Sequence, residues 1–275
     1  MEKISTGFTF TEGPVWSKEE GCLFFSDIPE NKIWRWTEDE GKEIYREPSG
    51  KSNGLTLDEE GRLLACEHAN RRVSRTEEDG SVTSLVETYE GKRLNSPNDL
   101  VVASDGTIYF TDPPYGLEGQ DGGYRDKELP FQGLYRLESE EGELTLLAKD
   151  FEKPNGLAFS PDESLLYVDD TDRGHVRKFP VNEDGTLGKG DLFVQLKGKR
   201  EGNVDGMKVD EEGNVYVTGP GGIWVFAPDG KGLGRIEVPE VAANLAWGEE
   251  GKTLFITAST SLYRIKLEVE GISAS

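Results

Sequence analysis

The sequence predicts an all-β protein, a six-bladed β-propeller formed by a single domain over residues 1–275. Three observations support this fold class. One strand motif recurs six times, its copies are spaced almost evenly, and short apolar runs alternate with turns rich in Gly and acidic residues. No helical period of useful length interrupts this pattern.

Each copy of the motif opens with a polar, oxygen-bearing residue, usually followed by Gly and an apolar run. The opening residues are separated by 41, 45, 57, 50 and 39 positions, close to the roughly 40–50 residues of a four-stranded propeller blade. A sandwich or an irregular barrel would not need such regular repetition. The opening residues are Glu12, Asn53, Asn98, Asn155, Asp205 and Asn244.

The other strands of each blade follow in order. An acidic turn such as Asp58-Glu-Glu-Gly leads to a second apolar strand such as Leu63-Leu-Ala-Cys, and two alternating outer strands complete the blade. After the last copy only the strands 254–257 and 261–265 remain. We therefore expect a strand from Lys3–Phe10 to complete the sixth blade and close the ring.

Composition excludes several classes of protein. The formal charge of −22 repels phosphate backbones, so nucleic acid is not an expected partner. No apolar run reaches membrane-spanning length and no export signal is visible, so we expect no membrane contact and a cytoplasmic monomer or weak dimer. Cys22 and Cys66 fall at different offsets in their repeats, which favours buried thiols over a disulfide.

The six opening residues should lie together at one mouth of the central channel. A single Asn-Gly is usually only a turn, but six coincident positions predict a ring of oxygen donors. Carboxylates and amides without His or Cys suit Ca²⁺ or another hard divalent cation better than zinc or copper. Ca²⁺ is therefore the first expectation, and Zn²⁺, Mn²⁺ and Mg²⁺ stay open as alternatives. A bound cation with open positions could act as a Lewis acid.

Connections between second and third strands should emerge at the same mouth. The longest is Pro113–Phe131, which we expect to form a substrate-facing lid. His68, Tyr115 and Asp170 lie in this connection or in the corresponding turns of neighbouring blades. They are predicted to contact substrate.

Four strings carry a family resemblance: Glu12-Gly-Pro-Val-Trp, Asn95-Ser-Pro-Asn-Asp-Leu, Pro154-Asn-Gly-Leu-Ala-Phe-Ser-Pro-Asp and Asp205-Gly. Together they resemble the regucalcin (senescence marker protein), gluconolactonase and luciferin-regenerating enzyme family, and its bacterial sugar-lactonase branch in particular.

The resemblance implies a divalent cation, commonly calcium, held by Glu12, Asn155 and Asp205, with Asn98 as a further ligand or substrate contact. It also implies hydrolysis of sugar lactones, with Asp205 activating water. Ser96 and Gly116 stand where animal members use arginine and glutamate to contact the sugar.

The predicted reaction is hydrolysis of a gluconolactone-like substrate, with the cation polarising the carbonyl and a carboxylate assisting the attack of water. Asp205, Glu12 and Asp170 remain alternatives for the group that receives the proton, and Asn98 completes the predicted catalytic set. Two other functions stay open: a calcium-dependent phosphotriesterase and a non-catalytic calcium-binding propeller.

Overall fold

The computed structural model describes residues 1–119, 123–138 and 142–272, and within these ranges it contains six four-stranded sheets arranged as blades. The described residues contain no α-helix, and their single helical segment is the 3₁₀ turn Tyr115–Leu117. The predicted six-bladed propeller is confirmed.

The strands are numbered in chain order. The chain begins with β1 (Glu2–Thr6), and blade I contains β2 (Thr11–Ser17), β3 (Cys22–Asp27), β4 (Lys32–Thr37) and β5 (Gly41–Arg46). Blade II contains β6 (Ser52–Leu57), β7 (Leu63–Glu67), β8 (Arg72–Thr76) and β9 (Val82–Val86), and a small hairpin follows with β10 (Thr88–Tyr89) and β11 (Lys92–Arg93). Blade III contains β12 (Leu100–Val102), β13 (Ile108–Asp112), β14 (Gly133–Leu137) and β15 (Leu144–Ala148).

The second half of the ring repeats this plan. Blade IV contains β16 (Pro154–Phe159), β17 (Leu165–Asp170), β18 (His175–Pro180) and β19 (Asp191–Gln195). Blade V contains β20 (Met207–Val209), β21 (Val215–Gly219), β22 (Gly222–Phe226) and β23 (Gly232–Glu237). Blade VI contains β24 (Ala242–Gly248), β25 (Thr253–Ala258) and β26 (Ser261–Lys266).

The N-terminal strand closes the ring, as the sequence predicts. Strand β1 is the outer strand of blade VI and pairs antiparallel with β26, with Glu2 opposite Arg264 and Thr6 opposite Ser261. Strand β1 covers Glu2–Thr6 and is shorter than the predicted segment Lys3–Phe10. Phe8 instead packs edge-on against Phe25 of blade I, with ring centroids 5.0 Å apart, so the same segment also joins the last blade to the first.

Apolar side chains fill the spaces between blades. Between blades VI and I, for example, Leu23 and Phe25 form a buried cluster with Phe255 and Leu262. Trp16 stacks on Phe255 with ring centroids 5.1 Å apart. Because each blade buries its faces against its two neighbours, this burial stabilises the closed ring as a whole.

Glycines after the opening residues allow the inner strands to approach one another. A Cβ atom at Gly13, whose φ is 51°, would lie 1.9 Å from the Asn53 carbonyl oxygen, and one at Gly156 would lie 2.2 Å from the Asp205 carbonyl oxygen. The repeated Glu-Gly and Asn-Gly pairs therefore reflect close contact between blades as well as turn geometry.

The second strands of blades I and IV end in an acid that anchors the chain entering the inner strand. Asp27 accepts backbone hydrogen bonds from Thr9 at 2.9 Å and Phe10 at 3.1 Å. Asp170 accepts them from Glu152 at 2.8 Å and Lys153 at 3.2 Å. These acids fix the start of β2 and β16, the inner strands that carry the opening residues Glu12 and Asn155.

The two cysteines are buried free thiols, as expected. No helix in the described parts of the chain has the length and apolar character needed to cross a membrane. The cytoplasmic location and the monomeric or weakly dimeric state stay predictions.

Candidate active site

The structure brings three of the four predicted cation ligands close together. The Asp205 carboxylate interacts electrostatically with that of Glu12, and the Asn155 side chain is also near enough to act on it. Glu12 and Asn155 are 2% and 4% exposed, whereas Asp205 is only half-buried. The ring therefore has a buried side and one carboxylate that is open to the channel.

Asn98, the fourth predicted ligand, lies just before β12 at the equivalent position of blade III and is 3% exposed. Its carbonyl oxygen accepts the Gly54 N–H at 2.7 Å, which joins blades II and III. Its side-chain amide makes no hydrogen bond to another described residue. The amide is therefore free to contact a ligand.

Burial and like charge raise the pKa values of both carboxyl groups. Burial raises the pKa of Glu12 to about 7, and the Asp99 carboxylate adds to the shift, while the Gly13 N–H at 2.6 Å opposes it. Burial also raises the pKa of Asp205 well above its usual value, with Glu12 and Asp99 contributing. Acidic groups held this close favour either a shared proton or a bound cation.

Asn244 and Asp99 complete the acidic side of the ring. The Asn244 Nδ2 group donates to Glu12 Oε2 at 3.1 Å and to Asp99 Oδ2 at 3.3 Å, so it fixes the orientation of both carboxylates. Sequence reasoning did not assign Asp99 a role. The sequence does distinguish Asp99, because it occupies the position that is Gly in the Asn53, Asn155 and Asp205 copies.

Asn155 is oriented from outside the ring. Its Nδ2 group donates to Thr171 Oγ1 at 3.1 Å, and the Thr171 hydroxyl donates to the Val204 carbonyl at 2.9 Å. Thr171 thus couples Asn155 to the chain segment that leads to Asp205. Nothing in the spacing of the repeats pointed to this residue.

Two of the predicted substrate contacts lie beside the ring. His68 Nε2 lies 3.4 Å from Asn53 Nδ2. Burial, together with Lys51, lowers the pKa of His68 to about 4, so the imidazole is neutral near pH 7. The Tyr115 hydroxyl is buried beside Asn155 without a well-formed hydrogen bond among the described residues.

Asp170, the third predicted contact, has a structural role instead. It is completely buried, and its two oxygens accept the backbone hydrogen bonds that anchor the entry to β16. The adjacent Asp169 interacts electrostatically with Asp205, and burial followed by Asp205 raises its pKa well above the usual value. Successive strand residues point to opposite faces, so only one of this pair can be directed toward the ring.

The predicted lid, Pro113–Phe131, includes residues 120–122, which lie outside the described residues. Its first turn is held by Ser96, whose hydroxyl donates to the Pro113 carbonyl at 2.6 Å and accepts the Gly116 N–H at 2.9 Å. A Cβ atom at Gly116 would lie 2.8 Å from Ser96 Cβ and 2.9 Å from His68 Cβ. This turn therefore packs tightly beside the ring and presents Tyr115 to it.

Comparison with known proteins agrees with the resemblance in the motifs. Residues 10–260 match the family described as the SMP-30/gluconolactonase/LRE-like region. The chain belongs to this family. A gluconolactonase of Zymomonas mobilis is 36% identical over 98% of this chain and 82% of its own length.

Solved structures of the SMP-30/gluconolactonase/LRE-like family have the same architecture. A gluconolactonase of Xanthomonas campestris is 36% identical, with a TM-score of 0.89 over 98% of this chain and 88% of its own. A regucalcin of Agrobacterium tumefaciens, described as a calcium-binding protein, is 21% identical, with a TM-score of 0.83 over 99% of this chain and 95% of its own. The latter likeness concerns the fold alone.

Proposed function

We propose that this protein is a metal-dependent lactonase that hydrolyses sugar lactones of the gluconolactone type. The gluconolactonases of Zymomonas mobilis and Xanthomonas campestris, each 36% identical to this chain, support the substrate class. The observation that carries the metal dependence is the electrostatic repulsion between the Glu12 and Asp205 carboxylates beside Asn155. Two acids held this close, one of them buried, are costly unless a proton or cation offsets their repulsion.

The donor set fits a hard divalent cation. In the described ranges, no group of three or more His, Cys, Asp and Glu side chains is arranged to hold a metal ion. The ring instead combines two carboxylates with amide side chains, and oxygen donors of this kind are common Ca²⁺ ligands. Glu12, Asn155 and Asp205 would hold the cation, with Asn98 as a fourth ligand or a substrate contact.

Each side chain has a distinct part in the proposed reaction. The bound cation would supply Lewis-acid polarisation of the lactone carbonyl. Asp205, the half-exposed carboxylate, orients the attacking water or takes its proton, and Glu12 is the alternative acceptor. Asn98 donates to a substrate oxygen, and Tyr115 and neutral His68 contact the sugar hydroxyls from the rim.

The test is hydrolysis of glucono-δ-lactone, followed as proton release in weak buffer and corrected for spontaneous hydrolysis. The protein is stripped with a chelator and then given Ca²⁺, Mg²⁺, Mn²⁺ or Zn²⁺. We expect one ion to restore activity, Asp205→Asn to abolish it, and Asp191→Asn on the exposed strand β19 to leave it unchanged.

Other outcomes would redirect the assignment. Full activity after chelation, or in Asp205→Asn, would overturn the metal-dependent mechanism. If no metal supported lactone hydrolysis, turnover of a phosphotriester would favour the phosphotriesterase alternative, and its absence would favour a calcium-binding propeller.

A further inference from the structure

A narrow cavity of about 180 Å³ lies in the central channel behind the ring of opening residues. We call it the inner cavity. All six inner strands line it with residues that come after the opening residue, such as Pro14 after Glu12 and Lys208 after Asp205. Most of its lining is apolar, and its charged residues among those described are Lys208 and Glu163.

The Lys208 ammonium points back toward the ring. Its Nζ atom donates to the Met207 carbonyl at 3.1 Å, and Met207 lies between Lys208 and Asp205 along the chain. Lys208 makes no ion pair with another described residue. Glu163 instead bonds Ser104 at 2.8 Å, in the turns that follow β12 and β16 at the far end of the inner cavity. Lys208 is therefore a positive charge held behind the ring without a paired acid.

The charge of Lys208 acts on the buried side of the ring. Burial raises the pKa values of Glu12 and Asp99, and the Lys208 ammonium opposes the shift in both groups. Asn244 joins the same two carboxylates, with its Nδ2 atom 3.1 Å from Glu12 Oε2 and 3.3 Å from Asp99 Oδ2. Charges beside apolar walls are screened less than charges in open water. A positive charge at this position stabilises the empty ring and repels a cation that binds to it.

We propose that Lys208 is a resident counter-cation of the ring: its ammonium offsets the acids while the metal site is empty, and it weakens binding of a divalent cation by Glu12, Asn155 and Asp205. This inference rests on the proposed metal site and is independent of the lactone. Lys208 acts through its electric field and contacts neither metal nor substrate. A divalent cation carries two charges and a displaced proton carries one, so loss of the ammonium favours the metal-bound ring even when a proton leaves.

Calorimetry of Ca²⁺ binding to the chelator-stripped protein measures the effect on the metal. Lys208→Met keeps a long apolar side chain and removes the charge, so we expect it to bind Ca²⁺ about tenfold more tightly than the parent. Lys208→Arg keeps the charge and should have parent-like affinity. Lys189→Met, at an exposed lysine, controls for the change in net charge. If Lys208→Met does not fold, Lys208→Gln replaces it, because its amide can still donate to the Met207 carbonyl.

Urea unfolding of the same proteins supplies the second readout. Without metal, Lys208→Met should be less stable than the parent, because the ring acids lose the charge that offsets their repulsion. Saturating Ca²⁺ should remove most of this deficit. A purely structural role for Lys208 would lower stability with and without the cation, and it would not tighten Ca²⁺ binding.

Unchanged or weaker Ca²⁺ binding in Lys208→Met, or equally tight binding in Lys208→Arg, would overturn the counter-cation. If the parent binds none of Ca²⁺, Mg²⁺, Mn²⁺ and Zn²⁺, the metal dependence of the proposed function fails, and stability decides the inference. Stripped Lys208→Met must then be less stable than Lys208→Arg and Lys189→Met, and equal stabilities would refute it. A failure to hydrolyse lactones would refute the proposed substrate but not the role of Lys208, because neither measurement uses a lactone.

Discussion

Asp112 should make the stability of this protein fall as pH rises, and Asp112→Asn should remove that dependence. The side chain is completely buried, and it accepts the Asn95 N–H at 2.8 Å through Oδ2, while Oδ1 has no hydrogen-bond partner among the described residues. Burial raises its pKa to about 7. Asp112 thereby anchors the segment that carries Asn98, yet it lies outside the proposed ligand set.

The direction of this pH dependence follows from proton linkage. The folded protein keeps the Asp112 proton up to about pH 7, whereas the unfolded chain releases it near pH 3.9, so the free energy of unfolding falls between these values. A difference of about 3 pKa units corresponds to about 4 kcal/mol. Asn is neutral throughout and can still accept the Asn95 N–H. Asp112→Asn should match the parent near pH 4 and exceed it by up to about 4 kcal/mol at pH 8.

Urea unfolding from pH 4.5 to 8, at one fixed calcium concentration, measures this difference. Asp191→Asn, on the exposed strand β19, controls for the loss of one surface charge. A difference between Asp112→Asn and the parent that stays constant with pH, or that shrinks as pH rises, would refute the assignment of a buried neutral acid.

Three further predictions concern the supports of the ring. Glu67→Gln should lower the free energy of unfolding by about 3–5 kcal/mol, measured by urea denaturation, because this buried carboxylate bonds Arg46 at 2.6 Å and Arg72 at 2.7 Å; a loss below about 1 kcal/mol would contradict this. Thr171→Val should weaken calcium binding roughly tenfold by calorimetry, since Asn155 loses its acceptor; unchanged affinity would exclude this orienting role. Gly116→Ala should lower kcat/KM for glucono-δ-lactone by displacing the turn from Ser96, and parent-like kinetics would show that the turn tolerates the extra atom.

The sequence by itself determined the number of blades and the ring of opening residues. Both are periodic features: the spacing of the copies predicts the propeller, and Glu12, Asn155 and Asp205 belong to the ring because they occupy the same position in their copies. The closing strand β1 was also predictable, because the last copy lacked a fourth strand.

Only the tertiary structure decided which side chains support the ring and which serve the backbone. Asp169 and Asp170 are adjacent acids, yet one interacts with Asp205 and the other bonds the backbone of Glu152 and Lys153. The contact of Asn244 with both Glu12 and Asp99 likewise joins blades that are distant in sequence. Periodicity fixes the face on which a residue lies, but its hydrogen-bond partners depend on how separate blades pack, which no local pattern encodes.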